Sequence, residues 1–177
     1  STIDASNVAE GYVMVNYTGT NPKVKLQITG PDAITYTYNL HGDYEVFPLT
    51  AGDGDYTVTV FENVSGTQYS TALSEQIPVK ISNTFGPFLY PNQYVNFNSS
   101  SPAVAKAAQL AASASSDLDV VSSIYNYIID NYTYDYDKAA NVASGYLPDV
   151  DEIFKTRTGI CFDYASVMTT MLRSQRI

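Results

Sequence analysis

The chain has 177 residues, of which 45% are hydrophobic and 15% charged, with a net charge of −9 and an isoelectric point near 4.3. That composition supplies a core and excludes a disordered polyelectrolyte, the length excludes a long multidomain enzyme, and the negative charge repels phosphate backbones and excludes nucleic acid as an expected partner. No stretch of about 18 apolar residues is present to cross a bilayer, so no membrane insertion is expected, and a single Cys excludes an intramolecular disulfide or a thiolate zinc cluster.

The first half alternates apolar and polar residues, the period that places every second side chain on one face of a sheet. It predicts strands at Gly11–Tyr17, Lys23–Thr29, Ile34–Leu40, Tyr44–Leu49, Tyr56–Phe61, Tyr69–Glu75 and Ile77–Ile81. Turns such as Thr29-Gly30-Pro31-Asp32 and Ala51-Gly52-Asp53-Gly54 separate them, and Asn63-Val64-Ser65-Gly66 reads as a further loop. Seven short strands at this spacing predict an all-β immunoglobulin-like sandwich over residues 1–81. Gly86, Pro87, Pro91 and Ser99-Ser100-Ser101-Pro102 then break regular structure, so 82–101 reads as a linker.

From 102 to 177 the period becomes helical. Ser101 is the expected N-cap and Pro102 the first residue of a helix through the Ala-rich run to Ala112. A second helix is predicted from Asp117 to Tyr132, with Val121, Ile124, Tyr125 and Ile128 as its apolar stripe. Tyr132–Tyr136 reads as a strand or extended arm. Asp149 caps a short helix, with Asp151 and Glu152 in its first turn, Lys155 and Arg157 near its end, and Gly159 terminating it. Cys161, Tyr164, Ala165, Met168, Met171 and Leu172 recur at 3 and 4 residues and predict the buried face of a last helix. The whole is an α+β chain in two parts.

Gly159-Ile160-Cys161-Phe162-Asp163-Tyr164-Ala165 is where the sequence points to chemistry. It sets a thiol at a loop-to-helix junction, where unpaired N–H groups and the positive end of the helix dipole favour an anion. Nearby amides can then donate to the oxyanion formed when a thiolate attacks a carbonyl. Asp163 suits a helix start but opposes a thiolate beside it, so its carboxylate is expected to point away. Spacing alone favours Cys161 as a buried packing residue, since free Cys is among the most buried residue types.

This segment, with Met171-Leu172-Arg173 and Ile177, resembles the core of transglutaminase-like domains, whose pattern runs G-x-C-x-D-Y-A and then L-R-x-x-G-I-P. The resemblance covers about 102–177, including Tyr132-Thr133-Tyr134-Asp135 and the stretch from Asp149 into the Cys. It implies a papain-like enzyme of Cys, His and Asp with Cys161 as nucleophile, supported in the motif by Gly159, Phe162, Asp163 and Tyr164, and it matches secreted bacterial proteins that carry sandwich domains in front. Tyr134 is a candidate hydroxyl donor near the thiol. The family's His and Asp lie on strands after the Leu-Arg helix, so the chain is expected to be the mainly helical part of such a domain, truncated before its β-sheet. Without a base it lacks acid and base steps worth about 10²- to 10⁴-fold and is expected to be inactive as it stands. Arg176 occupies the family's Gly position.

The sole His, His41, falls in a turn of the first half and is read as a solvated loop residue. Asp53, Asp55, Asp135, Asp137, Asp149 and Asp151 lack the EF-hand spacing and are read as turn and cap residues, so neither metal nor cofactor is expected. The tyrosines at 36/38, 125/127 and 132/134/136 are assigned to packing ahead of a binding platform. The expected partners are a protein or peptide substrate of the parent enzyme and a second copy through exposed helical surface, and the expected location is extracellular or cell-surface. The alternative reading is a non-catalytic surface binding or adhesion module with a degenerate papain-like core.

Overall fold

In the computed structural model, which describes residues 1–177, the alternating segments of the first half form seven strands: β1 (Thr2–Asp4), β2 (Tyr12–Tyr17), β3 (Val24–Thr29), β4 (Thr35–Asn39), β5 (Asp43–Pro48), β6 (Gly54–Ser65) and β7 (Gln68–Val79). All pair antiparallel, in one sheet of order β1-β2-β5 and another of order β4-β3-β6-β7. Their inward residues, among them Val13, Val15 and Phe47 from the first sheet and Leu26, Val58 and Val60 from the second, form one core. The strand boundaries differ from the sequence reading in three places. β1 is only three residues long, too short to show a period. Tyr69–Glu75 and Ile77–Ile81 join, as far as Val79, in the single strand β7, which pairs with β6 through Gln76 opposite Thr57, and Pro78 is tolerated because β7 is a sheet edge. Asn63–Ser65 extends β6, and the turn tightens to Gly66 and Thr67, with Gly66 at a φ of 53° that favours glycine.

The chain divides into two compact units, Ser1–Phe88 and Leu89–Ile177. The second contains α1 (Pro102–Ala111), α2 (Asp117–Asn131), β8 (Thr133–Tyr134), α3 (Tyr136–Asn141), α4 (Val150–Thr156), β9 (Thr158–Gly159) and α5 (Cys161–Ser174). Ala103 and Ala107 of α1, Ile124 and Ile128 of α2, Val150 and Ile153 of α4, and Val167 and Met171 of α5 meet in its core. Segment 89–101 lies along α5: Ser166 donates its hydroxyl to the Tyr90-to-Val95 stretch at the Tyr94 carbonyl, and Arg173 donates to the Tyr90 carbonyl at 2.7 Å.

Two helical faces are rotated from the predicted ones. On α2 the buried residues are Val120, Ile124 and Ile128, whereas Tyr125 is exposed. Leu118 and Ile129 are exposed too, so the apolar arc of this helix is wider than the face it buries. On α5 the buried residues are Asp163, Ser166, Val167, Thr170 and Met171; Cys161 and Ala165 are exposed, and Tyr164, Met168 and Leu172 half-buried. Small hydroxyl residues such as Ser166 and Thr170 allow close approach yet read as surface in a hydropathy pattern, so the pattern points to a different face from the one buried. α3 was not foreseen: Tyr132–Tyr136 is extended only to Tyr134, after which Asp135 caps a six-residue helix by accepting from Lys138 N.

Candidate active site around Cys161

The approach to Cys161 is built by short elements. α4 starts at Asp149, whose carboxylate accepts from Glu152 N, and ends at Arg157, which takes the left-handed conformation at φ 56°. Arg157, rather than Gly159, therefore terminates it. Thr158 and Gly159 then pair parallel with Thr133 and Tyr134, turning the chain so that Ile160 becomes the N-cap and Cys161 the first residue of α5. Gly159 has a steric role. A Cβ there would lie 2.6 Å from Asp163 Cβ and 2.8 Å from its carboxylate oxygen.

Cys161 is a free, exposed thiol, so the packing reading that spacing favoured is overturned. Ile160 offers no side-chain acceptor to the first turn, and the amides of Cys161 and Phe162 have no hydrogen-bond partner. Two donors and a thiol thus share the positive end of a 14-residue helix. This arrangement can hold an anionic sulfur and an oxyanion formed beside it.

Asp163 turns inward and is fully buried. Its carboxylate accepts from the Ile160 N–H at 2.9 Å, from Lys138 Nζ at 2.7 Å and from the Tyr146 hydroxyl at 2.6 Å. Burial works against the Lys138 charge, but its hydrogen bonds to Asp163 and Tyr146 outweigh it and hold the ammonium above the ordinary lysine value. Burial and then the bond to Asp163 push the Tyr146 phenol upward. Lys138 also stands over the Tyr146 ring, 4.6 Å from its centroid. Neither Lys138 nor Tyr146 is among the residues the sequence reading singles out. The available signal was Asp163 itself, since a buried carboxylate requires donors, but α3 is too short for periodicity to place Lys138.

Phe162 is half-buried and packs against Tyr94 and Tyr146, with ring centroids 5.9 and 6.2 Å away. With Tyr94, Val95, Ala165, Ser166 and Thr169 it lines an apolar cleft of about 470 Å³. Ala165 lies one turn beyond Cys161, so the cleft follows the helix face that Cys161 begins. Tyr164 packs edge-on against Tyr132 and Tyr134, at 5.7 and 6.1 Å; burial, then its tyrosine neighbours, raise its pKa. Tyr134 pairs its backbone with Gly159 and packs against Tyr136 with the rings tilted and their centroids 4.9 Å apart. The Tyr134 hydroxyl makes no hydrogen bond to Cys161.

His41 belongs to the other unit, where its Nδ1 lies 3.1 Å from Glu45. No three His, Cys, Asp or Glu side chains come together as ligands for a metal ion. No helix is long and apolar enough to cross a membrane. No curated protein and no solved structure matches the chain. Residues 104–177, from within α1 through α5 and across the whole Cys161 arrangement, match the family model of the Transglutaminase-like superfamily, a family of papain-like cysteine enzymes.

Proposed function

We propose that the Leu89–Ile177 unit is the nucleophile-bearing part of a transglutaminase-like cysteine enzyme and that Cys161 is its nucleophile. The observation that carries this reading is the exposed Cys161 thiol beside two unpartnered amides within the matched region. In the reaction, the sulfur attacks an amide or ester carbonyl of a protein or peptide substrate. The carbonyl oxygen takes the negative charge and the amides of Cys161 and Phe162 receive it. The C–N or C–O bond then breaks and the leaving group departs with a proton, which leaves a thioester on Cys161. Water or an amine attacks the thioester, gives up its proton to a base, and releases the thiol.

The Leu89–Ile177 unit contains no His to move these protons, and the sole His of the chain is paired with Glu45 in the other unit. By itself the chain therefore acylates only with activated substrates. The strand order β1-β2-β5 facing β4-β3-β6-β7 supports an immunoglobulin-like sandwich in which the fourth strand has joined the second sheet. With a tyrosine-rich, acidic composition, that sandwich supports a secreted or cell-surface protein. Exposed apolar residues on the helices, such as Leu118 and Ile129, support self-association.

p-Nitrophenyl acetate tests the assignment without a general acid, because its phenolate leaves unassisted. The unaltered chain is expected to release about one equivalent of p-nitrophenolate in a burst and to carry one acetyl group on Cys161 by peptide mass mapping. Cys161→Ser removes both. A chain that gives no burst, or is acetylated only on lysines, is a binding module with a degenerate core.

A further inference from the structure

We propose that Lys138 is a positioning residue for Cys161: from α3 it holds the carboxylate that caps the Cys161 helix and matches that carboxylate's charge. The proposal rests on the nucleophile assignment above. Asp163 is two residues from Cys161 and fully buried, and a buried carboxylate is stable only when paired and hydrogen-bonded. One of its oxygens, Oδ2, accepts from both Lys138 Nζ and the Ile160 N–H. The lysine therefore fixes the same atom that fixes the backbone immediately before Cys161. Tyr146 holds the other oxygen.

α3 itself buries no residue. Its placement therefore comes not from core packing but from the β8 strand before it and from this ion pair. The groups that face the carboxylate are Lys138 from α3, Tyr146 from the following loop and the Ile160 amide from the β9–α5 junction; Tyr132 and Tyr134 pack on Tyr164 at the same end of α5. Lys138 is the cation in this set. Without it the Asp163 charge opposes the anionic sulfur and the oxyanion, and the cap loses its anchor. A hydrogen bond alone does not replace it, whereas arginine, which keeps charge and donors, does.

The test is the burst rate with p-nitrophenyl acetate at pH 7 for the unaltered chain, K138M, K138Q and K138R, each first shown to be folded by its melting curve. K138M and K138Q are expected to slow the burst about tenfold, and K138R to recover most of it. K138Q keeps a donor to Asp163 and serves the comparison if K138M does not fold. A burst in K138M and K138Q at the parental rate overturns the proposal while leaving the nucleophile assignment standing, and so does a K138R as slow as K138M, which reduces Lys138 to packing. Absence of a burst in the unaltered chain overturns the nucleophile assignment, and this proposal with it.

Discussion

At Gly159 any side chain meets Asp163, whose carboxylate needs that space to reach the Ile160 amide. Gly159→Ala is therefore expected to destabilise the Leu89–Ile177 unit by about 1–3 kcal/mol, the usual range for overpacking a close contact, as read by urea unfolding. A parental midpoint would show that Asp163 yields without loss. Tyr132 presents the opposite case. Its ring is buried among Tyr127 and Tyr164, yet its hydroxyl has no hydrogen-bond partner. Since an unsatisfied buried hydroxyl costs about 1–3 kcal/mol, Tyr132→Phe should leave stability unchanged or raise it; a clear loss would reveal a partner for that oxygen. Residues of this kind mark the limit of what the sequence conveys. The motif around Cys161 was legible because a helix start beside glycine has a recognisable spacing, whereas the partners of Asp163 arrive from 25 and 17 residues away, and no local pattern encodes such a separation.

Among the elements, α5 shows how a helix end can carry strain. Arg176 N donates to Arg173 O and Ile177 N to Leu172 O, the pair of bonds of a Schellman motif, and Arg176 takes φ 61°. Glycine accepts that conformation without the steric penalty of a Cβ, which gives a physical reason for the Gly of the resembled L-R-x-x-G-I-P pattern. Arg176→Gly is expected to stabilise the unit by about 1 kcal/mol, measured as a rise in the denaturant midpoint with unchanged slope; a fall would mean that the arginine's contact with Tyr90 outweighs the strain. At α4, Asp149→Ala should cost about 1 kcal/mol by removing the cap to Glu152 N. Element positions were legible where period and punctuation agreed, as for α1, with Pro102 at its first turn, and for α4 with its acidic start. They were not where another strand decided the outcome. Gln76 separates two predicted strands until β6 is seen to pair along the whole of β7, and β8 and β9 are two residues each, so their pairing depends on the tertiary fold.

For the whole molecule, the tyrosine content gives stability a definite dependence on alkali. Burial, first among the causes, raises the pKa of Tyr56, Tyr94, Tyr132, Tyr146 and Tyr164. The hydrogen bond to Glu62 does so for Tyr17. Lys138 is also raised by its partners. In each case the folded state binds the proton more tightly than the unfolded chain. The corresponding stability is fully present below about pH 10 and is lost as pH rises through the folded values. Melting temperature should therefore fall steeply above pH 10, and less steeply in Tyr132→Phe; a flat profile to pH 11 would contradict the burial of these phenols. The division into a β part and a helical part was legible from the change of period, because periods 2 and 3.6 reflect backbone geometry directly. The presentation of the thiol was not: hydropathy alone placed Cys161 in the core, and the polar inner face of α5 places it outside. The reaction of native protein with iodoacetamide at pH 6, followed by mass spectrometry, tests that presentation most directly. Cys161 is expected to be carbamidomethylated faster than the thiol of glutathione, whereas protection until denaturant is added would contradict an exposed nucleophile.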